Sequence, residues 1–209
     1  MAGWRRTEFM AKIILISGKA GHGKDLTATI MKEELESKNY SVIIIKFGDA
    51  VKWLAHEYLG YKGIKDTSDR QILQFLGTEV MRQYNPDYWA EIVGQFLAAM
   101  QQYNKWDYCI ISDWRFPNEY QVLKKYITDI ITIRISRYEK NLPYINSALT
   151  SEQRNHSSEC SLDNYFFSYV IQNDDTIDAL KNSILNKYMP LILQKEKKCS
   201  FEQDSNNSF

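Results

Sequence analysis

The chain has 209 residues, of which 44% are hydrophobic and 25% are charged, as in an ordinary globular protein that needs no disulfide or metal to hold its core. Basic and acidic residues number 26 each, so the basic excess of a nonspecific nucleic-acid binder is absent. Three widely spaced cysteines without metal-ligand spacing indicate a reducing, cytoplasmic location. No apolar run reaches the length of a membrane span. We therefore expect no nucleic-acid partner and no membrane partner.

Strand-like and helix-like segments alternate along the chain. The predicted elements begin with a strand at 12–17, a glycine-rich turn at 18–23, a helix at 24–38, a strand at 41–46 and a helix at 49–58 capped by Asp49. They continue with a helix from residue 68 or 69 to 84, a helix from about 86 to 103, a strand at 107–112 and a helix beginning at Pro117. They end with a strand at 129–135, a polar stretch at 137–163, a strand at 168–172 and a helix from Asp175 towards 187. This alternation predicts an α/β fold with about five parallel strands and helices on both faces.

A phosphate-binding loop follows the first predicted strand. Residues 18–24 match G-x-x-x-x-G-K between a strand and a helix, the context that this motif requires. Its glycines let backbone N–H groups point at phosphate oxygens, and the helix N-terminus adds positive potential. We expect Lys24 to reach the β- and γ-phosphates. The residues expected to bind the nucleotide here are Gly18, Lys19, Ala20, Gly21, His22, Gly23, Lys24 and Asp25.

Two carboxylates are candidate metal ligands. Asp25 stands where the general motif has a Ser or Thr hydroxyl for magnesium, and it either holds the cation, directly or through water, or caps the helix. Asp113 follows the third strand, at the sheet edge where such folds bind ligands, and is the candidate metal-organising acid. Arg115 is available there for a phosphate because its planar fork binds two oxygens. The alternative for this segment is a salt-bridged turn.

Further arginines suggest an acceptor site and a lid. The predicted acceptor site comprises Arg70, Gly77, Glu79, Arg82, Trp89 and Arg115. Arg70 and Gly77 are seven residues apart and so lie near one helical face, although surface pairing of the arginines with Asp69 or Glu79 is the alternative. Arg137 and Arg154 are expected to close over the transferring phosphates. Asn173 either contacts a nucleobase or belongs to a helix-capping turn.

The domain boundaries follow from these features. A single domain is expected at 10–190, preceded by a tag or native arm at 1–9 and followed by a polar tail at 191–209. The acceptor-binding helices would lie at about 49–103. The helical part at 69–103 is long enough for a homodimer interface, and both monomer and homodimer stay open. About 25 residues with little pattern are long for a plain connection, which predicts a lid at about 137–163.

Several segments together resemble the phage-type deoxynucleoside monophosphate kinases of the P-loop kinase superfamily. They are Gly18–Asp25, Phe47–Lys52, Leu76–Glu79 with Arg82, Asp113–Glu119, His156–Glu159 and Val170–Asn173, in order over most of the chain. The resemblance implies a three-layer P-loop kinase fold with a mobile lid, and it implies ATP and Mg²⁺ as cofactors. It also implies phosphorylation of a deoxynucleoside monophosphate (dNMP) to the diphosphate (dNDP). Trp114 departs from the family pattern, since a small apolar residue is expected there.

The expected reaction is transfer of the ATP γ-phosphoryl group to the 5′-phosphate of a dNMP. The residues expected to carry it are Lys24, Asp113, Arg115, Arg137 and Arg154. One alternative is another small-molecule kinase, of the phosphomevalonate or dephospho-coenzyme A type. The other is a nucleotide-binding switch without transferase activity, which the five candidate arginines disfavour because a switch needs no acceptor site.

Overall fold

The computed structural model describes residues 11–64, 67–102, 106–139, 142–174 and 176–194. Its strands are β1 (Lys12–Ser17), β2 (Val42–Ile45), β3 (Tyr108–Trp114), β4 (Ile130–Glu139), β5 (Leu142–Pro143) and β6 (Tyr169–Asn173). Its helices are α1 (Lys24–Ser37), α2 (Gly48–Leu59), α3 (Thr67–Gln74), α4 (Met81–Tyr84), α5 (Tyr88–Gln102), α6 (Pro117–Leu123), α7 (Ser151–Asn155), α8 (Ser157–Cys160) and α9 (Ile177–Ser183). A π-helical segment at Phe75–Val80 joins α3 to α4, and a second at Ile184–Tyr188 continues α9.

The strands form one sheet with the predicted parallel core. Its order is β2-β3-β1-β4-β6, and every pairing in that order is parallel. The two-residue β5 adds an antiparallel pairing to the end of β4. All of β1 is buried, with Ile14 packed in a cluster that includes α1 and α9, and Ile13 in a cluster that includes α5 and α6. The three-layer α/β fold is therefore confirmed.

The segment predicted as a patternless lid contains regular structure. Strand β4 runs to Glu139 rather than ending at 135, and α7 and α8 follow β5. Thr150 caps α7, since its hydroxyl accepts the Gln153 N–H. These helices have five and four residues, which is too short for a helical period to show in the sequence.

Two helix ends differ from their predicted positions. Asp49 does not cap α2; the N-cap is Phe47, and the carboxylate of Asp113 accepts the first N–H groups from across the sheet edge. At the other end of the chain, helical structure continues to residue 194, beyond the expected domain end at 190, because Met189 and Ile192 are buried.

Some predicted features lie outside the described residues. They are the arm at 1–9, residues 195–209 of the tail, and Asp175 as the first residue of the last helix. Thr176 caps that helix by accepting the Ala179 N–H. Within the described part of the chain, no helix has the length and apolar character needed to cross a bilayer.

Candidate active site

The phosphate loop curls tightly against its neighbours at the carboxyl end of β1. Gly18 has a φ of +156°, and a Cβ there would lie 2.6 Å from the carbonyl oxygen of Ile135. Gly23 has a φ of +97°, and a Cβ there would lie 2.8 Å from Nδ2 of Asn173. Because L side chains rarely adopt these conformations, glycine is required at both positions. The loop therefore keeps its backbone close to the sheet and turns directly into α1.

Lys24, the first residue of α1, folds back over this loop. Its Nζ donates to the carbonyl oxygens of Gly18 at 2.6 Å and Lys19 at 3.0 Å. Burial, followed by the positive charge of Arg115, lowers the pKa of Lys24 to about 7. The ammonium group is thus held at the loop with its charge poorly solvated, a state that bound phosphate oxygens would relieve.

Hydrogen bonds of His22 and Asn173 hold the phosphate loop in place. Nδ1 of His22 accepts the Arg137 backbone N–H at 3.2 Å, and burial lowers the pKa of this imidazole to about 4, which leaves it neutral at pH 7. The side-chain amide of Asn173 donates to the His22 carbonyl oxygen at 3.0 Å. Asn173 therefore braces the loop, and its contact with a nucleobase stays a prediction.

Asp25 lies in a small polar cluster at the mouth of the loop. Its Oδ1 accepts from Nζ of Lys46 at 2.8 Å and from Oγ of Ser112 at 2.9 Å. Partial burial raises the pKa of Asp25, but the hydrogen bonds from Lys46 and Ser112 outweigh it and hold the pKa below its usual value. The carboxylate is thus ionised at neutral pH, beside the hydroxyl that Ser112 contributes from β3.

Asp113 is held by two backbone donors. Its Oδ1 accepts the Phe47 N–H and its Oδ2 accepts the Gly48 N–H, each at 2.9 Å. Burial raises the pKa of Asp113 despite these two bonds. The side chain ties β3 to the start of α2, a role that the metal-organising hypothesis did not include.

A cavity of about 470 Å³ joins the loop to the predicted acceptor residues. We call it the first cavity. Among its lining residues are Ala20, Gly21, Lys24, Asp25, Arg70, Gly77, Arg82, Trp89, Asp113 and Arg115. Glu79, predicted to bind substrate, is exposed and is not among the residues that line it. The other five predicted acceptor residues all line it.

The π-helical segment shapes one wall of the first cavity. Nε1 of Trp89 donates to the Gly77 carbonyl oxygen at 2.9 Å, and Trp89 is only 2% exposed. A Cβ on Gly77 would lie 3.2 Å from Cγ1 of Val51 on α2. Gly77 thus permits a close approach of the π-helical segment to α2. Trp114, by contrast, is fully buried in the core beside Tyr165.

Arg82 is anchored to a buried carboxylate. Its guanidinium pairs with Glu119 and lies 4.0 Å from the centre of the Phe116 ring. Glu119 also accepts the backbone N–H groups of Arg115 and Phe116 at 2.8 and 3.0 Å. Burial raises the pKa of Glu119 to about 6, although the Arg82 charge opposes it. Arg82 is therefore fixed in direction before any ligand is present.

Arg115 contacts a second carboxylate, which the sequence analysis did not assign. Its Nη1 donates to Oε1 of Glu159 at 2.5 Å and to the Ser158 carbonyl oxygen at 3.1 Å. Oε2 of Glu159 accepts the Ala20 N–H of the phosphate loop at 2.8 Å. Glu159 lines both the first cavity and a second one of about 370 Å³, so it stands between them.

The two predicted lid arginines line the second cavity and not the first. Arg137 lies 4.3 Å from the centre of the Tyr144 ring and pairs with Glu139 at 3.0 Å. Arg154 donates to the carbonyl oxygens of Asn146 and Leu149. Glu159 thus separates both arginines from the predicted acceptor residues.

Other site residues also escaped the sequence analysis. Lys46 and Ser112 line the first cavity, and both lie at the carboxyl ends of strands, so the edge rule used for Asp113 would have found them. Glu119 and Glu159 were visible only as members of polar segments. Their partners come from distant parts of the chain, so no local signal marked them.

Together the parallel sheet, the phosphate loop after β1 and the adjoining cavity are those of a P-loop kinase, and the chain is a phosphotransferase. A family model described as deoxynucleotide monophosphate kinase matches residues 49–184. This is more than half of the chain, so the chain belongs to that family. The phosphate loop precedes the matched segment and is independent support for the same class. A comparison with curated proteins finds no match.

Solved structures of other kinases share the fold. A sugar kinase from Janibacter sp. is 13% identical with a TM-score of 0.51, over 84% of this chain and 93% of that one. A gluconokinase from Sinorhizobium meliloti is 12% identical with a TM-score of 0.50, over 92% of this chain and 99% of that one. At such identities the likeness establishes the fold alone.

Proposed function

We propose that this protein transfers the γ-phosphoryl group of ATP to the 5′-phosphate of a deoxynucleoside monophosphate, giving dNDP and ADP. The observation that carries the proposal is the first cavity, in which the phosphate loop and Arg70, Arg82 and Arg115 share one space. The family match supports a dNMP as the acceptor.

The donor end of the cavity supplies charge and direction. Backbone N–H groups of the loop and the start of α1 would hold the β- and γ-phosphates, and Lys24 would exchange its two loop carbonyl partners for phosphate oxygens. Because an acceptor phosphate is already anionic, no strong general base is needed. Positioning and neutralisation of charge supply most of the rate.

At the acceptor end, arginines are arranged for an anion. Arg82 is directed by Glu119, and Arg70 and Arg115 line the same cavity. Trp89, held against Gly77, supplies an apolar wall near the nucleobase. Arg137 and Arg154 would reach the transferring group only after the lid segment at 137–163 rearranges, since they line the second cavity.

The donor set at the loop fits Mg²⁺. Asp25 and Ser112 offer the oxygen ligands that this cation prefers. Among the described residues no three His, Cys, Asp or Glu side chains form a metal-binding group, so phosphates and water would complete the shell. When bound, Mg²⁺ neutralises charge on the donor phosphates. Asp25 would hold it in place of Lys46, and Asp113 would remain the support for α2.

Acceptor-dependent ADP release tests the proposal. The protein is incubated with ATP and Mg²⁺, and ADP is followed with dAMP, dCMP, dGMP, dTMP, the four ribonucleotides, phosphomevalonate or dephospho-coenzyme A. We expect at least one dNMP to raise ADP release well above the acceptor-free rate. Release only with one of the other metabolites would reassign the substrate, and ATP binding without any acceptor-dependent release would favour a nucleotide-dependent switch.

A further inference from the structure

Glu159 on α8 occupies a position where an anion would be expected to bind. Its carboxylate accepts the Ala20 N–H of the phosphate loop at 2.8 Å and pairs with Arg115 at 2.5 Å. The side chain is 9% exposed. A single carboxylate thus joins the donor loop to an arginine of the acceptor end.

This carboxylate resembles a phosphate group in its chemistry, since it presents anionic oxygens. Loop N–H groups of this kind bind anionic oxygens, and here one of them binds a side chain of the same molecule. Although burial opposes ionisation, the charge of Arg115 and the hydrogen bond from Ala20 hold the pKa of Glu159 below its usual value. Glu159 is therefore an anion, and Lys24 meanwhile turns to the loop's own carbonyl oxygens.

We propose that Glu159 is a positioning residue that fills an anion site of the nucleotide-free phosphate loop and is displaced by the donor phosphates. Its departure frees Arg115 for the acceptor phosphate, so that donor binding strengthens acceptor binding. The inference rests on the proposed function for the identity of both ligands. It assigns to Glu159 the coupling of the two ends of the first cavity.

The proposal fixes the sign of a substitution. Glu159→Gln removes the competing negative charge and leaves a neutral amide oxygen, a weaker acceptor for the Ala20 N–H and Arg115, so the donor site of the variant is less firmly occupied and more positive. A charge-assisted hydrogen bond no longer has to be broken on binding, and we expect nucleotide to bind about tenfold more tightly. If Glu159 only braced the loop, the same substitution would leave affinity unchanged or weaken it.

The first experiment measures the Kd of Mg²⁺-AMPPNP by isothermal titration calorimetry. The wild-type protein is compared with Glu159→Gln and with Glu152→Gln, a matched control that neutralises an exposed glutamate of the neighbouring helix α7. We expect a Kd about tenfold lower for Glu159→Gln and an unchanged Kd for the control. Equal or weaker binding by Glu159→Gln would overturn the proposal.

The second experiment rests first on the wild-type protein, so its main comparison does not depend on how the variant folds. The Kd of the tightest-binding of dAMP, dCMP, dGMP and dTMP is measured with and without saturating Mg²⁺-AMPPNP. We expect AMPPNP to lower that Kd severalfold in the wild type, and dNMP to lower the Kd of AMPPNP by the same factor. In Glu159→Gln we expect almost no effect, because the charged pair that holds Arg115 is already absent before nucleotide binds. No effect of AMPPNP in the wild type would overturn the coupling. If Glu159→Gln binds AMPPNP more tightly but no dNMP binds, the result supports displacement of Glu159 by the donor and contradicts a dNMP as the acceptor.

Discussion

Among single residues, the donor site depends most on Lys24 and its ammonium group. It sits on two loop carbonyl oxygens, and burial beside Arg115 brings its pKa to about 7. This is well below the ordinary lysine pKa of 10.5, and a pKa of about 7 leaves Lys24 mostly neutral at pH 8 in the free protein. Bound phosphates favour the charged form, and binding must then be accompanied by proton uptake.

Proton uptake on binding of Mg²⁺-ADP gives the first prediction. A pKa of about 7 corresponds to uptake of about 0.9 proton per nucleotide at pH 8 and about 0.1 at pH 6. Affinity should correspondingly weaken as the pH rises above 7. Calorimetry in buffers of different ionisation enthalpy measures the uptake directly. Lys24→Arg, whose side chain stays charged, should abolish it; equal uptake by this variant and the wild type would contradict the role given to Lys24.

Asp113→Asn distinguishes a structural carboxylate from a metal ligand. Both oxygens of Asp113 accept backbone N–H groups of α2, and an asparagine would turn its NH₂ group towards one of those donors. We expect the free energy of unfolding to fall by about 1–3 kcal/mol in urea titrations without metal. An acid present only for magnesium would give the opposite sign, because its neutral replacement removes the cost of burying a charge.

The control for this substitution is Asp49→Asn in the first turn of α2. Asp49 is exposed. Within the described part of the chain its side chain forms one ion pair, with Lys52. Its replacement should change the free energy of unfolding by less than about 0.5 kcal/mol. Equal effects of the two variants would show that the backbone bonds of Asp113 contribute little.

At the scale of elements, α5 and the π-helical segment are joined by Trp89. The indole N–H donates to the Gly77 carbonyl oxygen in a buried setting, and π-helical turns are frequent at functional sites because they displace the helix locally. This bond sets the wall of the first cavity opposite the phosphate loop. The position of the wall therefore depends on one side-chain donor.

Trp89→Phe should affect the acceptor and not the donor. Loss of the indole N–H removes its hydrogen bond to the Gly77 carbonyl oxygen, and we expect the acceptor KM to rise about fivefold, equivalent to roughly 1 kcal/mol. The KM for ATP should stay the same, as steady-state kinetics with each substrate varied will show. Trp53→Phe, at a site that is 60% exposed on α2, is the control and should change neither KM.

At the scale of the whole molecule, local patterns allowed prediction of the sheet and the donor loop. The apolar run 12–17 coincides with β1 at both ends, because charged Lys12 and the glycine turn after Ser17 bound it. The phosphate loop needs its glycines at fixed spacing, so its motif can be recognised from a few residues. Both features depend on near neighbours in the sequence, which is why one sequence was enough to predict them.

The polar network of the site could not be predicted in the same way. Glu119 is 37 residues from its partner Arg82, and Glu159 is 44 residues from Arg115. Such pairs depend on which strand ends the fold brings together, so each arginine looked equally free to bind phosphate. The position of Arg154 at the second cavity likewise depends on the short helix α7, which carries no periodic signal. The position of Arg137 depends on the extension of β4 to Glu139 and on Tyr144 from beyond β5.

Transfer of label from [γ-³²P]ATP to a dNMP is the direct test of the proposed kinase activity. The protein is incubated with Mg²⁺ and each dNMP beside its ribonucleotide counterpart, and the products are separated by thin-layer chromatography. We expect labelled dNDP from at least one dNMP, at a rate that exceeds the release of labelled inorganic phosphate. Label that appears only in inorganic phosphate, or in no product while ATP remains bound, would contradict it.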